Sequence, residues 1–427
     1  MRKNKLSRRD FLKLAGAAST GLALSACGID ATTLPSPTAT ATSTLTPFPT
    51  PTSTPTLTPT PKPPTIAALA RRIGMDVGIE AGYLGLFSPN KNPIKFSNAP
   101  QGYIEAIKNF SILTDGYSGD PAWTDYKPEI AFQYWHDFSL FCQENNIHLA
   151  LDHMFYGLGH FDEGSPVEYL VHAPKDEVEN WMKSRVKKFF EIPYFSQLNF
   201  VNEVLYGNDE TGEFGWSTDL NPFYRIWGKD YVRQAYLIVF NEAIATGKKV
   251  GDDLRIIYNA TPIEYDSPKA IYEYDFLSKL KEQLQQETGI DRPFDIGMQF
   301  HTRTVPLKDV VCWGPAAKHL EKTTLVEHLR KFGEIGDIHI SEFSIATPDK
   351  DQEIDILHTV VESAIESGFC KSLIMWSPFI TLDAPWADCD MRHLFDVKGD
   401  FDNPDFSDPQ PSYMFDELYE ILQSYAV

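Results

Sequence analysis

Beyond residue 65 the chain alternates short runs of apolar and β-branched residues with longer stretches in which apolar positions recur every three or four residues. Eight of the short runs read as strands: Met75–Ile79, Phe110–Thr114, Ile147–Asp152, Leu198–Asn202, Leu254–Asn259, Phe294–Phe300, Asp337–Ser341 and Lys371–Trp376. Between them, Ile130–Phe141 places aromatic residues at helical steps, and Tyr231–Ala245, Lys269–Gln286, Gln352–Ser367 and Tyr413–Tyr425 repeat that period. Ser267-Pro268 reads as a helix start, because a hydroxyl caps the exposed N–H groups and proline fits the first helical position. Strands buried on both faces and separated by helices predict a parallel sheet. Eight of them favour closure into a (β/α)8 barrel, which leaves no strand edge to protect.

The first 65 residues follow a different pattern. Arg2, Lys3, Lys5, Arg8 and Arg9 precede an apolar stretch, Leu14 to Leu24, too short to span a bilayer as a helix. Ser7-Arg8-Arg9-Asp10-Phe11-Leu12-Lys13 reads as a twin-arginine export signal. Leu24-Ser25-Ala26-Cys27 resembles a lipobox, so the expectation is cleavage before Cys27 and a lipid anchor on its thiol. From Thr32 to Thr65 proline and threonine alternate, and ten of the thirty prolines lie here. Proline removes donors and fixes φ, so this segment is expected to be an extended, core-free linker, reaching on the order of 100 Å if stretched. Residues 66–427 form the expected folded domain.

Composition then narrows the chemistry. Thirty-eight Lys and Arg stand against 59 Asp and Glu, a formal charge of −21. Residues 1–26 carry six basic groups and one acidic, so the remainder stands at −26. So acidic a chain argues against nucleic acid as a partner, since phosphate binding needs a basic face. Five cysteines in 427 residues do not make a disulfide scaffold; the pairing of Cys142, Cys312, Cys370 and Cys389 stays open.

In a barrel, chemistry gathers where strands end at their C-terminal side. Those ends carry Asp152-His153, Asn202-Glu203, Asn259, Gln299, His301, Glu342 and Trp376. Glu203 and Glu342 end the fourth and seventh strands and face one another across the mouth. Paired carboxylates are what cleavage of a glycosidic bond requires: one protonates the leaving oxygen while the other attacks the anomeric carbon or activates water. Asn-Glu occurs twice, but Asn241-Glu242 falls inside an amphipathic helix and reads as a solvated pair. Single histidines and tryptophans at such positions are ordinarily structural; their joint placement at strand ends sets this group apart.

These residues resemble the family ten glycoside hydrolases, the endo-β-1,4-xylanases. The resemblance covers Thr65 to the C-terminus. It is carried by Ile66–Gly78, by Phe200-Val201-Asn202-Glu203, by Ile296–His301, by His339-Ile340-Ser341-Glu342-Phe343, and by Trp376, Trp386, Leu394–Asp396 and Pro409–Tyr413. It implies a retaining mechanism with Glu203 as acid/base and Glu342 as nucleophile. Asn202 would bind the sugar 2-hydroxyl, His301 would hold Glu342, His153 and Gln299 would bind the central sugar, and Trp376 and Trp386 would supply apolar walls. A separation of about 5 Å between the two carboxyls goes with that mechanism. Three places depart from the family. Thr114–Pro121 stands where a Glu-Asn segment with a Lys is expected, Phe155-Tyr156-Gly157 where a Trp-His pair is expected, and Ser344 where an Asp is expected. The segment Gly207 to Trp227 suggests enlarged loops.

No cofactor or metal is implied. Asp388, Cys389, Asp390 and His393 lack metal-ligand spacing, and the aspartates at 396, 400, 402, 405 and 408 do not match an EF-hand loop. The expected partner is a β-1,4-linked polysaccharide, xylan or a related hemicellulose, met outside the cytoplasm by a monomer that touches membrane only through its lipid. Two other readings compete: a cellulase- or mannanase-type barrel glycosidase, and a non-catalytic polysaccharide-binding lipoprotein.

Overall fold

All eight expected strands form, and they pair in parallel around a closed ring. They are β1 (Asp76–Glu80), β2 (Ile112–Thr114), β3 (His148–Leu151), β4 (Gln197–Asn202), β5 (Arg255–Ala260), β6 (Asp295–Met298), β7 (Ile338–Ala346) and β8 (Cys370–Met375). Each pairs with the next, and Val77 opposite Leu373 joins β1 to β8. The computed structural model describes residues 63–81, 99–116, 128–157, 161, 165–207, 212–216, 220–304, 320–347, 349–376, 378–380, 394–400 and 403–426. Cys27 and Trp386 lie outside them. So do Cys312 and Cys389, whereas Cys142 and Cys370 are free, buried thiols.

The helices follow the sequence periodicity. Pro128–Glu144, Tyr231–Ala245, Pro268–Thr288, Lys350–Ser367 and Tyr413–Tyr425 cover the five expected stretches. Ser267 caps its helix as read, its hydroxyl accepting from Ala270 N at 3.0 Å with Pro268 at the first position. Packing between helices and barrel is largely aromatic. Trp135 lies 4.7 Å from Phe189 between ring centroids, and Phe200 of β4 lies 5.2 Å from both Phe155 and Tyr236. Among the described residues no helix is long and apolar enough to cross a membrane.

Three departures from the expected elements bear on the mouth of the barrel. First, β7 does not stop at Ser341 but runs on to Ala346, so Glu342 sits inside the strand. Its pairing with β8 slips between Ile340 and Phe343, a bulge that holds Ser341 and Glu342. A bulge bends a strand and re-aims the side chains it carries. Second, Phe155-Tyr156 adds a two-residue strand beside Val201-Asn202. Third, the stretch from Leu205 to Trp227 contains a hairpin, Leu205–Gly207 with Phe214–Trp216, and a short helix, Pro222–Trp227.

At the opposite end the strands begin in an ion-pair cluster. Arg255 donates to Asp295 and Asp337, both at 2.8 Å, while Arg292 reaches the same two carboxylates at 3.0 and 2.6 Å. His339 lies 3.4 Å from Asp295. Burial would raise the Asp295 carboxyl, but the bonds and charges of His339 and Arg255 outweigh it and hold the group well below its usual value.

Candidate active site

The strand ends set the site through unusual backbone. His153, Glu203 and Phe300 follow β3, β4 and β6 with φ of 36°, 46° and 57°. Non-glycine residues occupy that region rarely, and such strain gathers at functional sites. Long-range bonds hold the last two. Glu203 N donates to Asn259 O at 3.0 Å, and Phe300 N donates to the buried carboxylate of Glu264 at 3.0 Å. Beneath Glu203 lies Gly157, where an added Cβ would stand 2.3 Å from Glu203 O, so only glycine permits this approach.

Glu342 is 4% exposed and carries three donors. Asn259 Nδ2 donates to its Oε1 at 2.7 Å, His153 Nε2 lies 3.1 Å from the same oxygen, and His301 Nε2 lies 2.9 Å from Oε2. The two N–H groups of Asn259 are taken by Glu342 and by Asn202 Oδ1 at 2.8 Å. Its 3.4 Å approach to His153 Nε2 is therefore not a donation, and that nitrogen must carry a proton for Glu342. The amide orientation is set in turn by Ser341, whose hydroxyl donates to Asn259 Oδ1 at 2.5 Å. Burial pushes the Glu342 carboxyl up, yet the hydrogen bonds and charges of the two histidines overcome it and hold the group well below its usual range. For His153 the balance runs the other way: burial disfavours its charge, while Asp152 and Glu342 raise it to about 9.

Glu203 is the second carboxylate at the mouth. Tyr156 Oη donates to its Oε2 at 2.7 Å and Gln299 Nε2 to its Oε1 at 2.9 Å. Gln299 Nε2 also reaches Asn202 Oδ1 at 3.2 Å, so an unbroken path Glu203–Gln299–Asn202–Asn259–Glu342 joins the two acids. Asn202 Nδ2 is buried and has no hydrogen-bond partner among the described residues. A buried donor without a partner is costly unless a ligand supplies one.

The structure thus gathers Glu203, Glu342, Asn202, His153, Gln299 and His301 at one place. Trp376 borders them, its ring 6.3 Å from that of His301 in an edge-on arrangement. His301 contacts Glu342 as expected. Its other nitrogen lies 2.8 Å from the Ser344 hydroxyl, at the position where an aspartate was expected. His153 and Gln299, expected to face a sugar, each spend a nitrogen on a carboxylate. Two contributors carry little signal in the sequence: Tyr156, which stands out only as a departure from the family, and Asn259, only as a polar strand end. The pairing of Phe155-Tyr156 with β4 brings Tyr156 to Glu203, and only the adjacency of β4 and β5 reveals the role of Asn259. Among the described residues no group of acidic, histidine or cysteine side chains has the arrangement to hold a metal ion.

A closed parallel barrel with two bridged carboxylates at its C-terminal mouth defines the class as a barrel glycoside hydrolase. The chain belongs to glycosyl hydrolase family 10, whose model matches residues 163–398. None of the curated proteins matches it. Among solved structures, xylanase 10B from Thermotoga maritima is similar at 18% identity and a TM-score of 0.60, covering 85% of this chain and 99% of that one. An endo-1,4-beta-xylanase from Penicillium canescens shares 16% identity over 84% of this chain and 98% of its own, with a TM-score of 0.61. Xylanase 10B from Thermotoga petrophila RKU-1, solved in complex with xylobiose, shares 16% over 86% and 100%, with a TM-score of 0.58. At these identities the likeness is one of fold.

Proposed function

We propose that the protein is a retaining endo-β-1,4-glycanase acting on xylan, with Glu342 as nucleophile and Glu203 as acid/base. The observation that carries this reading is the contrast between two linked carboxylates. Glu342 is buried under three donors that favour its anion. Glu203 instead meets two donors, the Gln299 amide and Tyr156, whose hydroxyl donates to an anion and, by turning, accepts from an acid. Double displacement asks for that pair.

In the first half-reaction Glu342 attacks the anomeric carbon while Glu203 gives its proton to the leaving glycosidic oxygen. A glycosyl ester forms and the shortened chain departs. In the second half-reaction Glu203 takes a proton from water, the water oxygen bonds to the same carbon, and the Glu342 carboxylate leaves. The partnerless Asn202 Nδ2 suits the sugar 2-hydroxyl, a contact that strengthens as oxocarbenium character grows. His153 offers its remaining ring nitrogen to the same sugar, and Trp376, with Trp386 by resemblance, walls the apolar sugar faces. Xylan as substrate is supported by the family and by the xylobiose named with one structural relative.

Incubation with xylan, mixed-linkage glucan and mannan, followed by product sizing, tests the reading. Short xylo-oligosaccharides from xylan are expected. Products from glucan or mannan alone would reassign the substrate, and retention on xylan without any reducing sugar would reduce the protein to a binding module. On the same footing, the sequence before Thr65 supports export by the twin-arginine route and anchoring of the monomer through a lipid on Cys27. Labelling with radioactive palmitate, abolished by Cys27→Ala, is the expected result.

A further inference from the structure

The two histidines on Glu342 stand in unlike surroundings. Behind His301 is the neutral Ser344 hydroxyl, at 2.8 Å. Beside His153 is a carboxylate: Asp152 Oδ1 lies 4.0 Å from His153 Nε2, the nitrogen that serves Glu342. Asp152 is fully buried and takes a bond on each oxygen, from Asn199 Nδ2 on Oδ1 and from Thr114 Oγ1 at 2.6 Å on Oδ2. It therefore cannot swing towards Glu342 or out to solvent. Its other titratable neighbours include Glu342, whose charge also acts on it, and Asp115 of the β2 end, which takes donations from Trp135 Nε1 and from Asp152 N at 3.3 Å.

We propose that Asp152 is a positioning residue that keeps His153 in the imidazolium form, so that the nucleophile Glu342 is held by a cation whose charge is balanced by a second, buried carboxylate beside it. The idea rests on the reading of Glu342 as nucleophile.

The groups facing His153 are consistent with it. Asp152 comes from the end of β3, Glu342 from β7 and Glu203 from the end of β4, while Asn259 of β5 is neutral and Tyr156 presents its ring edge at 6.1 Å. Three carboxylates act on this one imidazole. Two of the three change charge during turnover, because Glu342 becomes an ester and Glu203 exchanges its proton. Asp152 alone keeps its charge, and so holds the proton on His153 through the covalent intermediate. Burial pushes Asp152 up to about 6 while the charge of His153 pulls against it, leaving the group ionised at neutral pH. Burial and the charge of Asp152 push the Asp115 carboxyl well above its usual range.

The benefit falls in the second half-reaction. As water bonds to the anomeric carbon and gives its proton to Glu203, the carbon–oxygen bond to Glu342 breaks and a carboxylate departs. A cation beside that carboxylate makes it a better leaving group.

The test uses Asp152→Asn, an isosteric change in which the new amide still accepts from Asn199 and donates to the Thr114 hydroxyl. Imidazole 15N chemical shifts of the full-length protein, titrated without substrate, give the direct readout. Wild-type His153 is expected to remain imidazolium through pH 8, and the midpoint in Asp152→Asn to fall by about one pH unit or more. On 2,4-dinitrophenyl β-xylobioside, where the first step is fast, kcat is expected to fall about tenfold and KM to fall with it as the glycosyl-enzyme accumulates. An unmoved midpoint overturns the proposal. A wild-type His153 that is neutral at pH 7 overturns it even if the variant fails to fold. A shifted midpoint in a protein that cleaves no β-glycan would uphold the role of Asp152 and overturn the functional reading instead.

Discussion

Tyr156 shows how much of this site is decided by single groups. Its hydroxyl is one of two donors on Glu203. Tyr156→Phe removes a bond to an ionisable carboxyl, a contact commonly contributing about 1.5–3 kcal/mol. The expected outcome is a fall in kcat/KM on xylan of about tenfold or more, with the unfolding midpoint nearly unchanged. Glu342→Gln should lower turnover at least about 10⁴-fold while leaving xylo-oligosaccharide affinity measurable by calorimetry. For Glu203→Ala, xylan turnover should fall about 10²–10⁴-fold. Aryl glycosides with good leaving groups should still react, and azide should trap a β-glycosyl azide; an α product would mean single displacement.

The secondary-structure elements explain which features the sequence disclosed. β-branched and apolar runs flanked by helical periods made all eight strands and five helices visible, and Ser267-Pro268 marked a boundary to the residue. The helix Lys175–Phe190 was not singled out, because its charged residues dilute the apolar stripe of Val178, Met182, Val186 and Phe189. Glu342 looked like a strand end since Ser341-Glu342 breaks the apolar run; only the bulge against β8 shows that the strand continues. The positive φ angles of Glu203 and Phe300 have no signal in residue type, because the fold imposes them through bonds to the Asn259 backbone and to Glu264. Contact between a strand-end pair such as Asn259 and Asn202 depends likewise on register. At this scale Gly157→Ala is informative. The added methyl meets Glu203 O, so the segment bearing Glu203 must shift, and activity is expected to drop by about 10²-fold or more for a modest loss of stability. Thermal unfolding measured beside kcat separates the two effects.

For the whole molecule, charge and the two ends of the barrel matter most. The stretch after Ala26 carries −26, and self-repulsion of that size weakens the compact state. Raising NaCl from low to about 0.5 M should therefore raise the unfolding temperature, as screening contracts the Debye length. At the foot of the barrel, the folded Asp295 carboxyl is held below its unfolded value. Its contribution is thus fully present above the ordinary carboxylate pKa near 4, and fades as pH drops through the lower folded value. Asp295→Asn is expected to cost about 3 kcal/mol at pH 7, because Arg255 and Arg292 lose a partner, and the gap from wild type should narrow steadily in urea melts below pH 4.

The small strand Phe155-Tyr156 has one further consequence. Because it clasps β4 just ahead of Glu203, with Gly157 N bound to Asn202 O at 2.7 Å, whatever pulls on the β3 connection also tugs at the Glu203 side of the cleft. Loop grafts meant to retune sugar preference at that rim would inherit a hidden tether. Swaps that keep these three residues should leave the catalytic engine in tune, while swaps that replace them would reset it along with the preference.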